Sequence, residues 1–153
     1  MTDANTGRIE RDVFIEAPPE TVFEYLTDAG KMMRWMGVDV ALDPKPNGIF
    51  MCNVDGENVA RGNFVEVSPP ERVVFTWGWD GGESLPPGKS TIEITLEPKD
   101  RGTMLRMVHS GLPEPTVGPH GEGWEHFIAR LIIAAAGGDP GRDPWVKESA
   151  AAG

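Results

Sequence analysis

The sequence predicts an α+β domain in which a curved, antiparallel, seven-stranded sheet wraps around one long C-terminal helix, in the chain order β-α-α-β6-α. Three observations predict it. From residue 38 to residue 110 the apolar residues recur with period two, and short polar turns interrupt them. Only residues 120–138 carry a long helical stripe, with Trp124, Phe127, Ile128, Leu131, Ile132 and Ala135 on one face. The 153 residues suffice for one domain with its own core, and the 19 Gly and 14 Pro are spread along the chain as turn punctuation rather than gathered in one low-complexity block.

The elements follow in order. In residues 8–17, Ile9, Val13 and Ile15 oppose Glu10, Asp12 and Glu16, the alternation of a strand with one covered face; Phe14 breaks it. Residues 18–28 read as a short helix: Pro19 suits a first turn, Glu20 suits the positive dipole end, and Val22, Phe23 and Leu26 form the stripe. "AGKMMRWMG" adds one more helical turn, ended by Gly37. Six strands then cover 38–43, 49–54, 59–67, 72–79, 90–97 and 103–110, with Asp55-Gly56 as a hairpin turn and a ten-residue Gly/Pro loop after Trp79. So many twisted antiparallel strands curl, and the one amphipathic helix covers the concave side. The domain spans 1–138. Residues 139–153, with their Gly and Pro breakers, read as a partly disordered tail.

A net charge of −10 argues against a nucleic-acid backbone or an anionic membrane surface as partner. A lone cysteine, Cys52, excludes an internal disulfide and a thiolate metal cluster. The N-terminal residues lack an apolar signal core, and no apolar run approaches the roughly 18 residues of a membrane span, so the expected location is cytoplasmic. His109, His120 and His126 have no metal-ligand spacing. No catalytic triad order, nucleophile elbow, phosphate loop or dinucleotide glycine pattern occurs, so no metal, cofactor or catalytic residue is assigned and binding is preferred to turnover.

Alternation also sorts the strand faces. Val73, Phe75, Trp77 and Trp79 share one side; Ile92, Ile94 and Leu96 oppose Glu93 and Glu97; Leu105, Met107 and His109 oppose Arg106, which turns His109 inward. Such inner faces either fill the core or wall a small-molecule pocket, and Trp77 and Trp79 are open to both readings. His109 is either a hydrogen-bonding or proton-moving group or a satisfied core histidine. Glu125 flanks the helical stripe and could reach a cavity mouth, whereas His126 points away and faces solvent. Ile133 lies opposite the stripe and, if exposed, is either a lone surface apolar residue or a homodimer contact.

The segments "IEAPPETVFEYLTD", "RWMG", "GNFVEVSPPERVVFTWGW", "STIEITLEPKDRGTMLRMVHSGLP" and "GEGWEHFIARL" occur in an order that resembles the START-like, or Bet v 1-like, helix-grip superfamily (SRPBCC), and within it the Aha-type domain shared with the Hsp90 ATPase activator. The resemblance covers roughly residues 9–136. It implies a cavity between sheet and helix. The ligand-binding candidates are then Trp35, Phe50, Phe75, Trp77, Trp79, Ile94, Leu105, Met107, His109, Trp124, Phe127, Ile128 and Leu131, with a small hydrophobic or aromatic molecule as the partner. The superfamily implies two alternatives. One is a polyketide cyclase- or aromatase-like enzyme, with His109 helped by Glu125 or Arg61; the other is a co-chaperone module whose outer surface carries the function.

Overall fold

The computed structural model describes residues 6–146. The elements are β1 (Thr6–Ile15), α1 (Pro19–Thr27), α2 (Ala29–Met32), β2 (Asp39–Leu42), β3 (Ile49–Asn53), β4 (Val59–Ser68), β5 (Arg72–Trp77), β6 (Ser90–Lys99), β7 (Gly102–Pro113) and α3 (Glu114–Ala135). The helix-grip arrangement is the one expected. All seven strands form one antiparallel sheet in the order β1-β7-β6-β5-β4-β3-β2, so β2 to β7 make a meander and β1 adds beside β7.

Register builds the concave face. Phe64 lies opposite Phe75, Phe75 opposite Ile92, Ile92 opposite His109 and His109 opposite Ile9. All five are buried, so one apolar row crosses five strands beneath α3. Phe50 stacks on Phe75 with centroids 4.2 Å apart, and Phe64 meets both rings edge-on. The opposite face is charged: Arg72 bonds Glu66 and Glu93, and Arg106 bonds Glu10 and Asp12. These exposed pairs keep that face in water more than they hold the fold together.

α3 starts six residues before the predicted stripe, at Glu114, and includes Pro119, Gly118 and Gly121. Propensity opposes this extension, because Pro119 has no N–H to donate and glycine is a weak helix former. Tertiary packing overrides it: Val117 packs on the core, and Thr116 Oγ1 donates to the Pro113 carbonyl at 2.7 Å. At the other end the helix stops at Ala135, short of the predicted residue 138. Gly137, at φ 96°, takes the left-handed turn. Its N–H donates to Ala134 O and that of Gly138 to Ile133 O, which closes the last turn. Trp124, Phe127, Ile128 and Leu131 are buried as the stripe predicts. Each contributes at most about 1.5–3 kcal/mol relative to exposure. Ile133, opposite the stripe, is exposed.

Residues 139–146, read as the start of a tail, fold back onto α3. Asp143 is buried and accepts the His126 Nε2–H at 2.8 Å. Trp145 stacks on the His126 ring at 3.7 Å, with the two planes 6° apart. His126 is therefore mostly covered instead of facing solvent freely; the stripe rule places it opposite the sheet, but the returning chain makes a second surface for it. Residues 147–153 of the predicted tail lie outside the described residues. Among the described residues no helix is long and apolar enough to cross a membrane.

Candidate ligand-binding cavity

The space between sheet and helix is filled over most of its length. Phe50, Phe75, Ile94, Leu105, Met107, His109, Ile128 and Leu131, all expected to touch a ligand, are buried in the core and stand outside the two cavities of about 500 and 850 Å³. They meet one another across the interior, because large side chains on both layers interdigitate to crystal-like density. Trp35 is buried too, held by its Nε1–H on the Tyr25 carbonyl at 2.9 Å.

Room remains at one end. A cavity of about 500 Å³ lies between the N-terminal half of α3, the end of β5 and the β3–β4 turn. Four of the predicted residues line it: Trp77, Trp79, Trp124 and Phe127. Met36, Val54, Asp55, Asn58, Pro119, His120, Gly123 and Trp145 complete the wall. These eight were missed. Pro119 and His120 lie at or before the predicted helix start, and Trp145 is hidden among tail breakers. Asp55 and Asn58 read only as a turn, although Met36, beside Trp35, carried a signal in the "RWM" turn. The Gly/Pro loop after Trp79 buries Leu85, whose carbonyl accepts the Trp79 N–H at 2.8 Å.

Two indole–imidazole pairs stand behind the wall. Trp124 Nε1–H donates to His109 Nδ1 at 2.9 Å. His109 Nε2–H in turn donates to Ser90 Oγ at 2.8 Å, and Ser90 Oγ–H donates to the Trp77 carbonyl at 2.8 Å. This chain fixes the imidazole as neutral, protonated on Nε2. Burial, helped by His120 nearby, pushes its pKa down to about 3. Beside it Trp79 Nε1–H donates to His120 Nε2 at 3.1 Å, and His120 Nδ1–H donates to the Thr116 carbonyl at 2.9 Å. Burial lowers the His120 pKa, and its bond to Thr116 only partly opposes that. Both rings are neutral props for the tryptophans. His109 takes the role of a satisfied core histidine.

The proposed helpers of His109 are elsewhere. Glu125 is exposed and pairs with Arg11 at 3.1 Å rather than reaching the cavity. Arg61 is spent on Asp80, with two contacts of 2.9 Å. At the rim Asp55 Oδ1 accepts the backbone N–H groups of Glu57 and Asn58, which sets the turn. A second depression, of about 850 Å³, runs between residues 33–38, which follow α2, and residues 137–146, and touches Trp35. Its floor is backbone and charge: Arg130 donates to the carbonyls of Trp35, Pro140 and Gly141. That groove fastens the returning chain, whereas the smaller cavity has aromatic walls and a few polar groups.

Comparison with known proteins agrees with this architecture. Residues 16–135 match the family described as Activator of Hsp90 ATPase homolog 1-like protein. An AHSA1-like protein from Rhizobium etli is 44% identical, with a TM-score of 0.73 over 94% of this chain and 90% of that one. CalU16 from Micromonospora echinospora is 26% identical, with a TM-score of 0.74 over 92% and 71% of the two chains. The Aha1 dimer from Colwellia psychrerythraea, 21% identical with a TM-score of 0.75 over 86% and 98%, shares the fold. An uncharacterized protein of Schizosaccharomyces pombe is 28% identical over 112 residues; the match takes in 71% of this chain and 31% of that protein, so the chain spans about a third of that relative's length. The chain belongs to the Activator of Hsp90 ATPase homolog 1-like family.

Proposed function

We propose that this family member binds a small, largely apolar or aromatic molecule in the cavity at the N-terminal half of α3. One observation carries the reading: a cavity of about 500 Å³ is walled by Trp77, Trp79, Trp124, Trp145 and Phe127. That volume lies within the range of roughly 300–1,000 Å³ used by small-molecule sites. Aromatic walls supply contact area at little entropic cost, since their rings are already held by packing. A cytoplasmic setting and a homodimer through the α3 face of Ile133 belong to the same reading; the exposure of Ile133 supports the second.

Tryptophan quenching and thermal shift against neutral polyaromatics, sterols and fatty acids test it. The expected result is saturable quenching with a raised Tm for at least one class. Gly123→Phe is the control: Gly123 lines the cavity and a Cβ there meets no atom within 4 Å, so the phenyl ring should occupy the space. A wild-type protein that no class stabilises, or quenching unchanged in Gly123→Phe, removes the reading.

The chaperone-partner alternative draws its support from the family, and its surface is the outer sheet or helix. Pull-down with an Hsp90 chaperone separates it from ligand carriage, since Gly123→Phe would leave such an association intact. A cyclase-like activity has less support: both ring nitrogens of buried His109 are engaged, and His120 is the one histidine in the cavity wall.

A further inference from the structure

Resting on that cavity reading, we infer that the ligand carries a hydrogen-bond acceptor, of the aryl ketone or quinone kind, directed at the indole N–H of Trp77. Trp77 Nε1 is the one buried side-chain nitrogen or oxygen without a partner among the described residues. The residue is 3% exposed and its ring borders the cavity. Every neighbouring donor is committed: Trp79 to His120, Trp124 to His109, His109 to Ser90 and His120 to Thr116. A network so fully paired on all sides leaves a single donor over, and a buried donor left unpaired is costly.

Chemistry then selects the occupant. An indole N–H only donates, so the complementary group is an acceptor, and a ligand that brings a donor there leaves both unsatisfied. The ring planes of Trp79 and Trp124 crowd Trp77 at centroid distances of 5.3 and 5.5 Å. The N–H is itself covered by these surroundings, so the Trp77 ring must turn its N–H toward the cavity when an acceptor enters. A flat aromatic body carrying one carbonyl matches the walls and the donor together. A hydrocarbon of the same shape matches the walls alone. Because a site built around a donor discriminates against the analogue lacking its partner, the carbonyl is where specificity resides.

Fluorenone and fluorene, which differ by that carbonyl, test this by NMR titration of the ¹⁵N-labelled protein. The expected result is about tenfold tighter binding of fluorenone. Its binding should shift the Trp77 indole proton downfield, and fluorene should not. In Trp77→Phe the preference should vanish while fluorene affinity stays. Equal affinities in the wild type, or a preference kept in Trp77→Phe, overturn the assignment and leave the cavity reading standing. If neither compound perturbs the cavity tryptophans, the cavity reading fails for planar aromatics and this assignment falls with it. Should Trp77→Phe not fold, the wild-type indole signal decides alone: an unmoved Trp77 resonance beside shifted Trp79 and Trp124 resonances overturns it.

Discussion

Trp124 on the long helix donates its indole N–H to Nδ1 of His109 on the last strand, 2.9 Å away in a site where His109 has no exposed surface. This bond joins the two layers of the fold and needs a neutral imidazole, because a protonated ring offers no acceptor.

Stability should therefore depend on acid in a defined window. Unfolded, His109 titrates near its ordinary value of 6.5; folded, near 3. Above 6.5 neither state holds the proton and the full stability is present. As pH falls from 6.5 towards 3, the unfolded chain takes up a proton that the folded chain refuses, so stability drops; below 3 this contribution is gone. Between pH 7.5 and 4.5 the loss from His109 should be about 3 kcal/mol. Urea denaturation at the two pH values checks this against His109→Gln, whose slope should be shallower by that amount. Equal slopes would place the ring outside the linkage.

The two glycines flanking the aromatic wall should differ sharply in their tolerance of alanine. A Cβ at Gly78, between Trp77 and Trp79, would sit 1.8 Å from the Pro86 carbonyl oxygen, a backbone atom that cannot swing aside. Gly78→Ala should cost at least about 3 kcal/mol and displace both indoles, seen as altered tryptophan emission. A Cβ at Gly118, inside α3, meets nothing within 4 Å. Gly118→Ala should be close to neutral, within about 0.5 kcal/mol on the same denaturation curves, because the gain in helix propensity is offset by crowding of the new Cβ against the Pro119 ring that follows.

The thiol of Cys52 should be inert in the folded protein. It has no exposed surface, and burial, with the charge of Asp39 nearby, pushes its pKa up to about 12. At neutral pH almost no thiolate exists to attack. A thiol-exchange reagent should label Cys52 at the rate of global unfolding, so labelling should accelerate with urea in step with the unfolding transition. Rapid labelling in native buffer would show that β3 opens locally.

Local signals were legible and long-range ones were not. Period-two alternation marked each strand of the meander, because burial on one face is a property of the strand itself. Arg106 opposite Leu105, Met107 and His109 correctly turned that histidine inward. That Ser90 and Trp124 would seal it was invisible, since they stand 19 and 15 residues away in sequence. The docking of β1 on β7 joins Ile9 to His109, which no local pattern encodes. Alternation gives an inner face along the whole sheet, yet the cavity occupies the one end where five separate segments converge. Pro119 hid the true start of α3, and the breakers around Trp145 disguised a returning chain as a tail.

That returning chain should act as one wall of the cavity and be removable. Asp143 accepts His126 Nε2–H at 2.8 Å and the backbone N–H of Trp145 at 2.9 Å, and it is buried. Trp145 is itself 46% exposed, one face on His126 and its edge towards Phe127. Asp143→Ala leaves two donors without their acceptor, one of them on a mostly covered ring. The cost should be about 1–3 kcal/mol, with faster amide exchange through residues 139–146. Trp145→Ala breaks no hydrogen bond of Asp143 and removes a half-exposed ring, so its cost should stay near 1 kcal/mol or below. Both variants remove the same cavity wall, the first by releasing it and the second by deleting it. Affinity for any cavity ligand should then fall in both, mainly through faster dissociation, while global stability falls chiefly in Asp143→Ala. Stopped-flow dissociation measured beside urea denaturation separates the two effects. Unchanged dissociation in Trp145→Ala would show that the indole shields only His126 and takes no part in holding a ligand.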